Sequence, residues 1–357
     1  MNKYYRLLLS LVLIISFSQE VKATHVPGGN ITYKCVGGNN YIITLTVFED
    51  CSGAVTVPNT PQTLTVTNSC GFNNFNSITL PVLSYGDEIS QVCYPQLPNT
   101  TCNGGSLPGI KKHIYSDTIN PITLPGNCSD WTISWDGCCR NTAVNLANQD
   151  GYYFEAVINN SNSQCNSSPI IGSNPVPYNC INIPVTYNFQ VTEPDGDSLY
   201  YSFITASEIQ LFGTGSIPVP YAGGYSPTSP INGISLDPNT GEINFTPTIQ
   251  GAFVVVVKIE EFDSSGTSLG YIMQDFQFQI IENIKSFDNK EKSIKVLDNN
   301  KYLNIEFNVG KNSIEAGNAS HEWVELATDL AISNDVDAIC TAPINKESWQ
   351  MSGFKDI

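Results

Sequence analysis

Three carboxylates recur at every second position near the middle of the chain, and their spacing suits metal binding. Glu193, Asp195 and Asp197 surround Gly196, which supplies the backbone freedom that a tight turn needs. Oxygen ligands of this kind are the ones that calcium prefers. The motif is not an EF-hand, because the twelfth position counted from Glu193 is Ile204 where a bidentate Glu is required. The pattern therefore predicts a calcium site, and the alternative is an acidic, solvated turn.

The segments on either side of this turn have the period of half-buried strands. Residues 185–191 and 199–203 both alternate apolar and polar side chains, which places one side of each strand against a core. These strands predict a β-hairpin or a sandwich corner that carries the three carboxylates at its tip.

Cysteine provides the second recognisable chemistry. Ten of the 11 cysteines lie between residues 35 and 180, and Cys340 stands alone near the end of the chain. Because no pair has C-x-x-C spacing, zinc binding and thioredoxin-type redox chemistry are disfavoured, and an even set predicts a disulfide framework. Ten cysteines allow roughly 945 pairings, so the connectivity stays open. The cysteines predicted to form disulfides are Cys35, Cys51, Cys70, Cys93, Cys102, Cys128, Cys138, Cys139, Cys165 and Cys180.

Residues 1–23 predict a secretory signal peptide. Lys3 and Arg6 precede the apolar run Leu7 to Phe17, and Val21-Lys22-Ala23 suits signal peptidase. The run is too short to span a bilayer, and we find no other candidate span. We therefore expect a secreted, periplasmic or cell-surface protein.

Charge is low and acidic through most of the chain. Residues 24–285 carry 6 Lys+Arg and 20 Asp+Glu, a net charge of −14, whereas 286–357 carry 7 and 12, a net charge of −5 in a much shorter segment. An acidic balance disfavours nucleic acid and anionic membrane surfaces as partners. The partner expected is instead a surface protein or a glycan.

Short strands and turns dominate residues 24–181, which we interpret as a disulfide-rich β-sandwich module. Trp131 and Trp135 share one side of a predicted strand and are expected in the core rather than stacked on a ligand. The predicted strands are 31–33, 41–48, 62–66, 77–82, 131–135 and 152–158.

Residues 182–283 predict a second module. A strand, a Pro/Asn/Gly turn and a returning strand cover 234–245, and long strands are predicted over 251–260 and 270–280. About seven short strands in ~100 residues are typical of an immunoglobulin-like or cadherin-like sandwich.

Both modules carry motifs of one known group of proteins. Residues 23–33 and 41–53 resemble the start of large surface proteins from gliding, type IX-secreting bacteria. The Asp237-Pro-Asn-Thr-Gly-Glu-Ile run and residues 270–279 are similar to the PKD-like or cadherin-like modules of that group. The resemblance covers roughly 20–282 and implies an adhesion or scaffold role without catalytic residues.

The composition changes after residue 283. Residues 284–300 form a polar linker, and 301–357 predict a short α/β fragment. A helix over 320–332 places Trp323, Ala327, Leu330 and Ala331 on one face, and 336–340 is predicted to be a buried parallel strand. Ligands of α/β sheets bind outside the ends of such strands.

This fragment resembles an internal piece of 4-hydroxythreonine-4-phosphate dehydrogenase, on residues 315–320, 336–347 and 353–357. The resemblance implies an NAD-dependent, metal-requiring enzyme of pyridoxal phosphate synthesis. In that family the metal-binding histidines lie further along the sequence. We therefore do not expect the tail to bind NAD. The joining of an exported β protein to such a fragment predicts a recombined, truncated or mis-assembled reading frame. The residues that match the family's substrate loop are Thr341, Asn345 and Lys346.

Three functions compete. An exported, non-catalytic adhesion or scaffold protein accounts for the signal peptide, the cysteines and the acidic turn. A dehydrogenase is supported by the tail alone. A secreted hydrolase would need His113, which follows Lys111 and Lys112 in a segment expected to be a solvated loop. The first function is the one we favour.

Overall fold

The computed structural model describes residues 26–53, 56–92, 94–138, 140–147, 151–162, 165–174, 178–209, 215–281, 313–332 and 346–354. The chain forms two compact units, 1–283 and 284–357. The expected signal peptide (1–23), the linker (284–300) and the predicted strand at 336–340 lie outside the described residues.

Strands make up almost all of the described first unit. The strands of the cysteine-rich segment are β1 (Gly28–Gly37), β2 (Asn40–Asp50), β3 (Gln62–Thr67), β4 (Ser77–Leu80), β5 (Val82–Glu88), β6 (Ile110–Ser116), β7 (Ile122–Thr123), β8 (Trp131–Cys138), β9 (Gly151–Ile158), β10 (Ile170–Ile171) and β11 (Tyr178–Cys180). Two 3₁₀ turns, Tyr94–Asn99 and Thr101–Asn103, precede β6. The strands that follow are β12 (Val185–Tyr187), β13 (Val191–Thr192), β14 (Ser198–Phe203), β15 (Ser207–Ile209), β16 (Ser216–Pro218), β17 (Ser235–Leu236), β18 (Ile243–Phe245), β19 (Gly251–Phe262) and β20 (Ser268–Ile281).

One large sheet runs through this unit, with the strand order β4-β3-β8-β9-β20-β1-β2-β6-β5. Strand β20 is at its centre: it pairs antiparallel with β1, β9 and β19, and parallel with β11. Strands from both predicted modules therefore share one sheet. The domain boundary expected between residues 181 and 182 falls inside one compact unit, residues 1–283.

The core lies on alternate residues of β2, β3 and β4, as their sequence period predicts, whereas β19 and β20 are buried on both faces. Trp131 is 0% exposed and Trp135 is 6% exposed, which confirms both as core residues. Phe72 stacks on Trp131, and Tyr152 stacks on Trp135. Each such side chain contributes about 1.5–3 kcal/mol through its burial. The mainly β, disulfide-containing fold expected from the sequence is confirmed.

A buried polar network fastens β20 to the loop after β8. The Arg140 guanidinium donates two hydrogen bonds of 2.7 Å to the Asp275 carboxylate, and both side chains are fully buried. Arg140 also donates to the carbonyl oxygen of Gly151 at 3.1 Å. Asn141 donates to Gln277 at 2.9 Å. Because these groups have no access to water, the network fixes the register of β20 against its neighbours.

Three disulfides link distant parts of the sequence. They join Cys35 to Cys165, Cys51 to Cys102, and Cys70 to Cys128. Cys180 has no disulfide partner among the described residues, and that set omits Cys93, Cys139 and the side chain of Cys138. Disulfides of this kind indicate a protein outside the reducing cytosol.

The described part of the second unit contains two helices, α1 (Ile314–Ile332) and α2 (Lys346–Met351). They pack through small residues: a side chain at Gly317 would meet the backbone of Ser348, and Trp349 donates to the Ser320 hydroxyl at 2.6 Å. The predicted helix is present and begins at Ile314, six residues before the predicted start. Its predicted apolar face is only partly buried: Trp323 is 52% exposed, whereas Ala327, Leu330 and Ala331 are half-buried. Neither helix is long and apolar enough to cross a membrane.

Candidate metal site at the acidic corner

The turn that carries Glu193, Asp195 and Asp197 joins β13 to β14 at the edge of the first unit. Strand β13 pairs with β10, whereas β14 pairs with β19. The turn is therefore a corner between sheets, and it is not a hairpin. The pairing of Ser198 with Phe262 brings the end of β19 alongside it. We define the acidic corner as Glu193, Asp195, Asp197, Glu261 and Asp263.

Two carboxylates of the acidic corner hold their own turns together. Glu193 accepts hydrogen bonds from the backbone amides of Gly196, of Asp195 at 3.0 Å, and of Asp197 at 2.7 Å. Asp263 accepts from the amide and hydroxyl of Ser265 at 2.8 and 2.6 Å. The carboxylate of Glu193 is therefore engaged by three backbone amides of its own turn.

The other two carboxylates of the predicted motif have unused oxygen atoms. Asp195 accepts one hydrogen bond through Oδ2, from the amide of Ser167 at 2.6 Å. The carboxylate of Asp197 makes no hydrogen bond to the described residues. Partial burial, together with the charges of Glu193, Asp195 and Asp263, raises the pKa of Asp197. This accumulation of negative charge is what a bound cation would relieve.

Glu261, near the end of β19, is the buried member of the acidic corner. Sequence patterns did not identify it as a site residue. Its side chain is fully buried, and Oε2 accepts from the Tyr33 hydroxyl at 3.1 Å and from Asn166 Nδ2 at 3.0 Å. Burial raises the pKa of Glu261 to about 8, and the charges of Glu193 and Asp197 act in the same direction. A carboxyl group in this environment favours its neutral form or a nearby cation.

Two oxygen atoms at this site lack a hydrogen-bond donor. Glu261 Oε1 and Asn166 Oδ1 are both buried and have no partner among the described residues. Nearly all buried acceptors in folded proteins are paired. A proton or a metal ion on Glu261 would satisfy Oε1, and Asn166 is hydrogen-bonded to the other oxygen of the same carboxyl group.

A rigid support holds Asn166 in place. The disulfide between Cys35 and Cys165 ties this segment to β1. The amide of Tyr33 donates to the Ser168 hydroxyl at 2.9 Å, and the amide of Ser168 donates back to the Tyr33 carbonyl at 2.8 Å. The acidic corner is therefore the meeting point of β1, the segment after Cys165, the 193–197 turn and β19.

The corner is not a fully assembled metal cage. Among the described residues, the set of three Cys, His, Asp or Glu ligand atoms lying within 4.8 Å of one another is Cys70, Cys128 and Asp130. Those two cysteines form a disulfide and offer no thiolate. Calcium accepts six to eight oxygen ligands in flexible geometry, so it would have to draw the carboxylates of the corner together.

His113 does not form a hydrolase site with the described residues. It lies in β6 and is fully buried, so the expectation of a solvated loop is wrong. Its Nδ1 accepts from the Gly86 amide at 3.3 Å, and its Nε2 lies 3.2 Å from Glu49 Oε2. Burial acts to raise the pKa of Glu49, but hydrogen bonds from His113 and the Val57 amide lower it overall. Neither ring nitrogen contacts a hydroxyl that could act as a nucleophile.

Most of the substrate loop predicted in the tail lies outside the described residues. Thr341 and Asn345 lie outside the described residues, as does the side chain of Lys346. The ring of His321 stacks on Phe354 at 3.5 Å, and its Nδ1 faces Glu325 at 3.4 Å. Within residues 313–332 and 346–354, no group of three metal-ligating side chains lies close enough to hold an ion.

Comparison with known proteins finds a dehydrogenase family on the C-terminal part of the chain. The family described as pyridoxal phosphate biosynthetic protein PdxA matches residues 253–356, a match that begins on β19. A D-threonate 4-phosphate dehydrogenase from Salmonella typhimurium is 46% identical over 44 residues, which cover 12% of this chain and 14% of that protein. A 4-hydroxythreonine-4-phosphate dehydrogenase from Helicobacter pylori is 48% identical over 44 residues, with the same coverage of 12% and 14%.

Most of the chain is similar to a protein of another kind. An integrin beta-like protein A from Dictyostelium discoideum is 25% identical over 279 residues, which cover 76% of this chain and 13% of that protein. The chain thus spans about one seventh of the length of the curated relatives named here. The dehydrogenase resemblance expected for the tail is confirmed as a fragment of that family's sequence.

Proposed function

We propose that the first unit is an exported, non-catalytic adhesion or scaffold module of the cell surface, of the PKD-like or cadherin-like kind, stabilised by calcium. The observation that carries this proposal is the continuous sheet cross-linked by three disulfides with sequence separations of 130, 51 and 58 residues. Cross-links of this kind each contribute roughly 2–4 kcal/mol and suit a module exposed outside the cell. The similarity to an integrin beta-like protein supports the same class.

The surface location has a direct test. Whole cells that produce the full chain are treated with protease, and the chain is followed with an antibody against the first unit. We expect cleavage on intact cells and an oxidised, disulfide-bonded product. A chain that stays protected in intact cells and carries reduced thiols would contradict an exported role.

Calcium is supported by the unused oxygens of Asp195 and Asp197 and by the two unpaired buried acceptors beneath them. With a dissociation constant of about 0.1–1 mM, as in extracellular modules, about 5 mM calcium stabilises the fold by about 1–2 kcal/mol through mass action. The measurement is the melting temperature with calcium and with EDTA.

The matched variants for this test replace acidic residues in two different turns. Asp195→Asn combined with Asp197→Asn should abolish the calcium-dependent increment. Asp237→Asn is the control, because Asp237 caps the turn between β17 and β18 through the amides of Asn239 and Thr240. An increment that is absent in the wild type, or that survives the double substitution, would leave the corner as an acidic turn.

The family match at residues 253–356 supports a second candidate function, that of a dehydrogenase. The assay is NAD reduction with 4-hydroxythreonine 4-phosphate and a divalent metal. We expect no turnover, since the matching segments cover 14–23% of the dehydrogenases compared. Turnover that disappears in Lys346→Ala would establish the enzyme instead.

A further inference from the structure

A cavity of about 560 Å³ opens in the first unit, away from the acidic corner. Its lining includes Asp50, Ser52 and Thr101, together with Tyr178, Ala252 and Gln279. It lies at the beginning of β19, whereas Glu261 lies near the end of that strand, roughly 30 Å away at ~3.3 Å per residue. Its volume is in the range of about 300–1,000 Å³ found for small-ligand sites.

The segments that carry Asp50 and Thr101 are fixed before any ligand binds. The disulfide between Cys51 and Cys102 joins the segments that carry Asp50 and Thr101. The Cys51 amide also donates to the Gly109 carbonyl at 2.9 Å. Preorganisation of this kind lowers the entropy that binding would otherwise cost.

Other lining residues lie on β11, β19 and β20 at the centre of the sheet. Tyr178 pairs with Gln279 in the parallel ladder between β11 and β20, and Gln279 pairs with Ala252. The Ala252 carbonyl accepts a hydrogen bond of 2.8 Å from the Val144 amide. The aromatic ring and the amide side chain therefore project from a rigid sheet.

The lining contains one carboxylate and no Lys, Arg or His. Asp50 uses Oδ1 to accept from the amide and hydroxyl of Ser52, at 2.9 and 2.7 Å, so Oδ2 remains available. The half-buried ring of Tyr178 provides an apolar surface with a hydroxyl at its tip, and Gln279 provides both a donor and an acceptor. Hydroxyls of Ser52 and Ser106 complete the rim.

This combination suits a neutral ligand rich in hydroxyl groups. Vicinal hydroxyls can donate to a carboxylate oxygen while they accept from an amide, and the C–H face of a sugar ring can pack on an aromatic ring. An anionic ligand would meet Asp50 in a chain whose net charge is −17, and no lining cation would offset it. A basic peptide would find a single half-exposed carboxylate, and such ion pairs contribute little.

We propose that this cavity binds a neutral di- or trisaccharide unit of a surface glycan. The proposal rests on the adhesion role argued above, because it names the partner class of that role. Tyr178 and Gln279 contact the sugar from the sheet, and Asp50 accepts hydrogen bonds from its hydroxyls. Calcium at the acidic corner takes no part in sugar binding, since it lies at the other end of β19.

The test is calorimetric titration of the oxidised full chain with four trisaccharides: maltotriose, cellotriose, mannotriose and chitotriose. Each sugar is added to about 10 mM, because one such site is expected to have a sub-millimolar dissociation constant. At least one of these sugars should bind. Tyr178→Ala and Gln279→Ala should each weaken binding by about ten-fold or more, as expected for central contact residues. Asp50→Asn should weaken it by about five-fold or more, since it removes a charge-assisted hydrogen bond.

The control is Tyr200→Ala, which removes a tyrosine that is 47% exposed on β14 and distant from the cavity. It should leave the affinity unchanged. Tyr178 packs near Phe48 and Ile110, so its replacement also removes packing. Gln279→Ala, with its melting temperature recorded alongside, separates loss of binding from loss of fold.

Three outcomes would overturn the proposal: no binding of any of the four sugars, binding that is unaffected by both Tyr178→Ala and Gln279→Ala, or binding of hexalysine that Asp50→Asn removes. The surface-exposure test is independent of this one. Failure of sugar binding with a protease-accessible chain rejects the glycan site alone. Sugar binding by a chain that never reaches the surface rejects the adhesion role alone.

Discussion

The strongest prediction concerns the buried carboxyl group of Glu261 in calcium-free solution. The folded state raises the pKa of Glu261 from 4.5 to about 8, chiefly through burial. The neutral form is therefore favoured by folding. Its stabilising effect is fully present below the unfolded pKa and is lost as the pH rises through the folded pKa. We expect the free energy of unfolding to fall between about pH 5 and pH 9.

The size of this effect follows from the same two values. Their difference, at ~1.36 kcal/mol per pH unit, sets an upper bound of roughly 5 kcal/mol. Movement of the corner and entry of water relieve part of it, so we expect a decrease of about 2–3 kcal/mol. Glu261→Gln keeps the shape of the side chain and removes its titration. The variant should match the wild type near pH 5 and exceed its stability near pH 9.

The assay is urea unfolding with EDTA at several pH values between about 5 and 9. Glu242→Gln, in the turn between β17 and β18, is the control and should keep the pH dependence of the wild type. Calcium added at high pH should recover more stability in the wild type than in Glu261→Gln. A wild type whose stability does not change over this range, or a Glu261→Gln variant that is less stable than the wild type near pH 9, would refute the reasoning.

Three further predictions concern stability. Arg140→Met should lower the free energy of unfolding in urea by about 3–5 kcal/mol, because Asp275 is then left charged and buried. The control Lys258→Met removes a partly exposed pair with Glu260 and should change that free energy by at most about 1 kcal/mol. A non-reducing peptide map should recover the three disulfides of the fold, with no free thiol among the cysteines of residues 35–180. Reduction should lower the melting temperature markedly. Several free thiols in this segment would refute the predicted disulfide framework. Limited proteolysis should cleave residues 313–357 before residues 26–281. The reason is that about 70 residues of a larger α/β domain bury too little apolar surface to be stable alone. Equal resistance of both segments would contradict the view that the tail is a fragment of such a domain.

Local patterns were enough to predict most of the elements in this protein. Alternating apolar residues over 41–48 and 251–260 predicted β2 and β19, and the helix in the tail followed from its own period. The strand period also placed Trp131 and Trp135 in the core. Such signals depend on neighbours a few positions away, which a single sequence displays.

Tertiary structure decided which of these elements meet, and with that the chemistry of the corner. Asn166 contacts Glu261 across 95 positions of sequence, and Tyr33 contacts it across 228. No local pattern marks such pairs, because they are created by the pairing of β20 with β1, β9 and β19. His113 was misplaced for a related reason: its two lysine neighbours suggested solvent, whereas β6 turns its side chain inward to Glu49. The sequence by itself determined the longer strands, the expectation of disulfides and the acidic turn, but not which cysteines pair. Only the tertiary structure set the burial of Glu261, since burial depends on the packing of distant segments and not on the residues beside it.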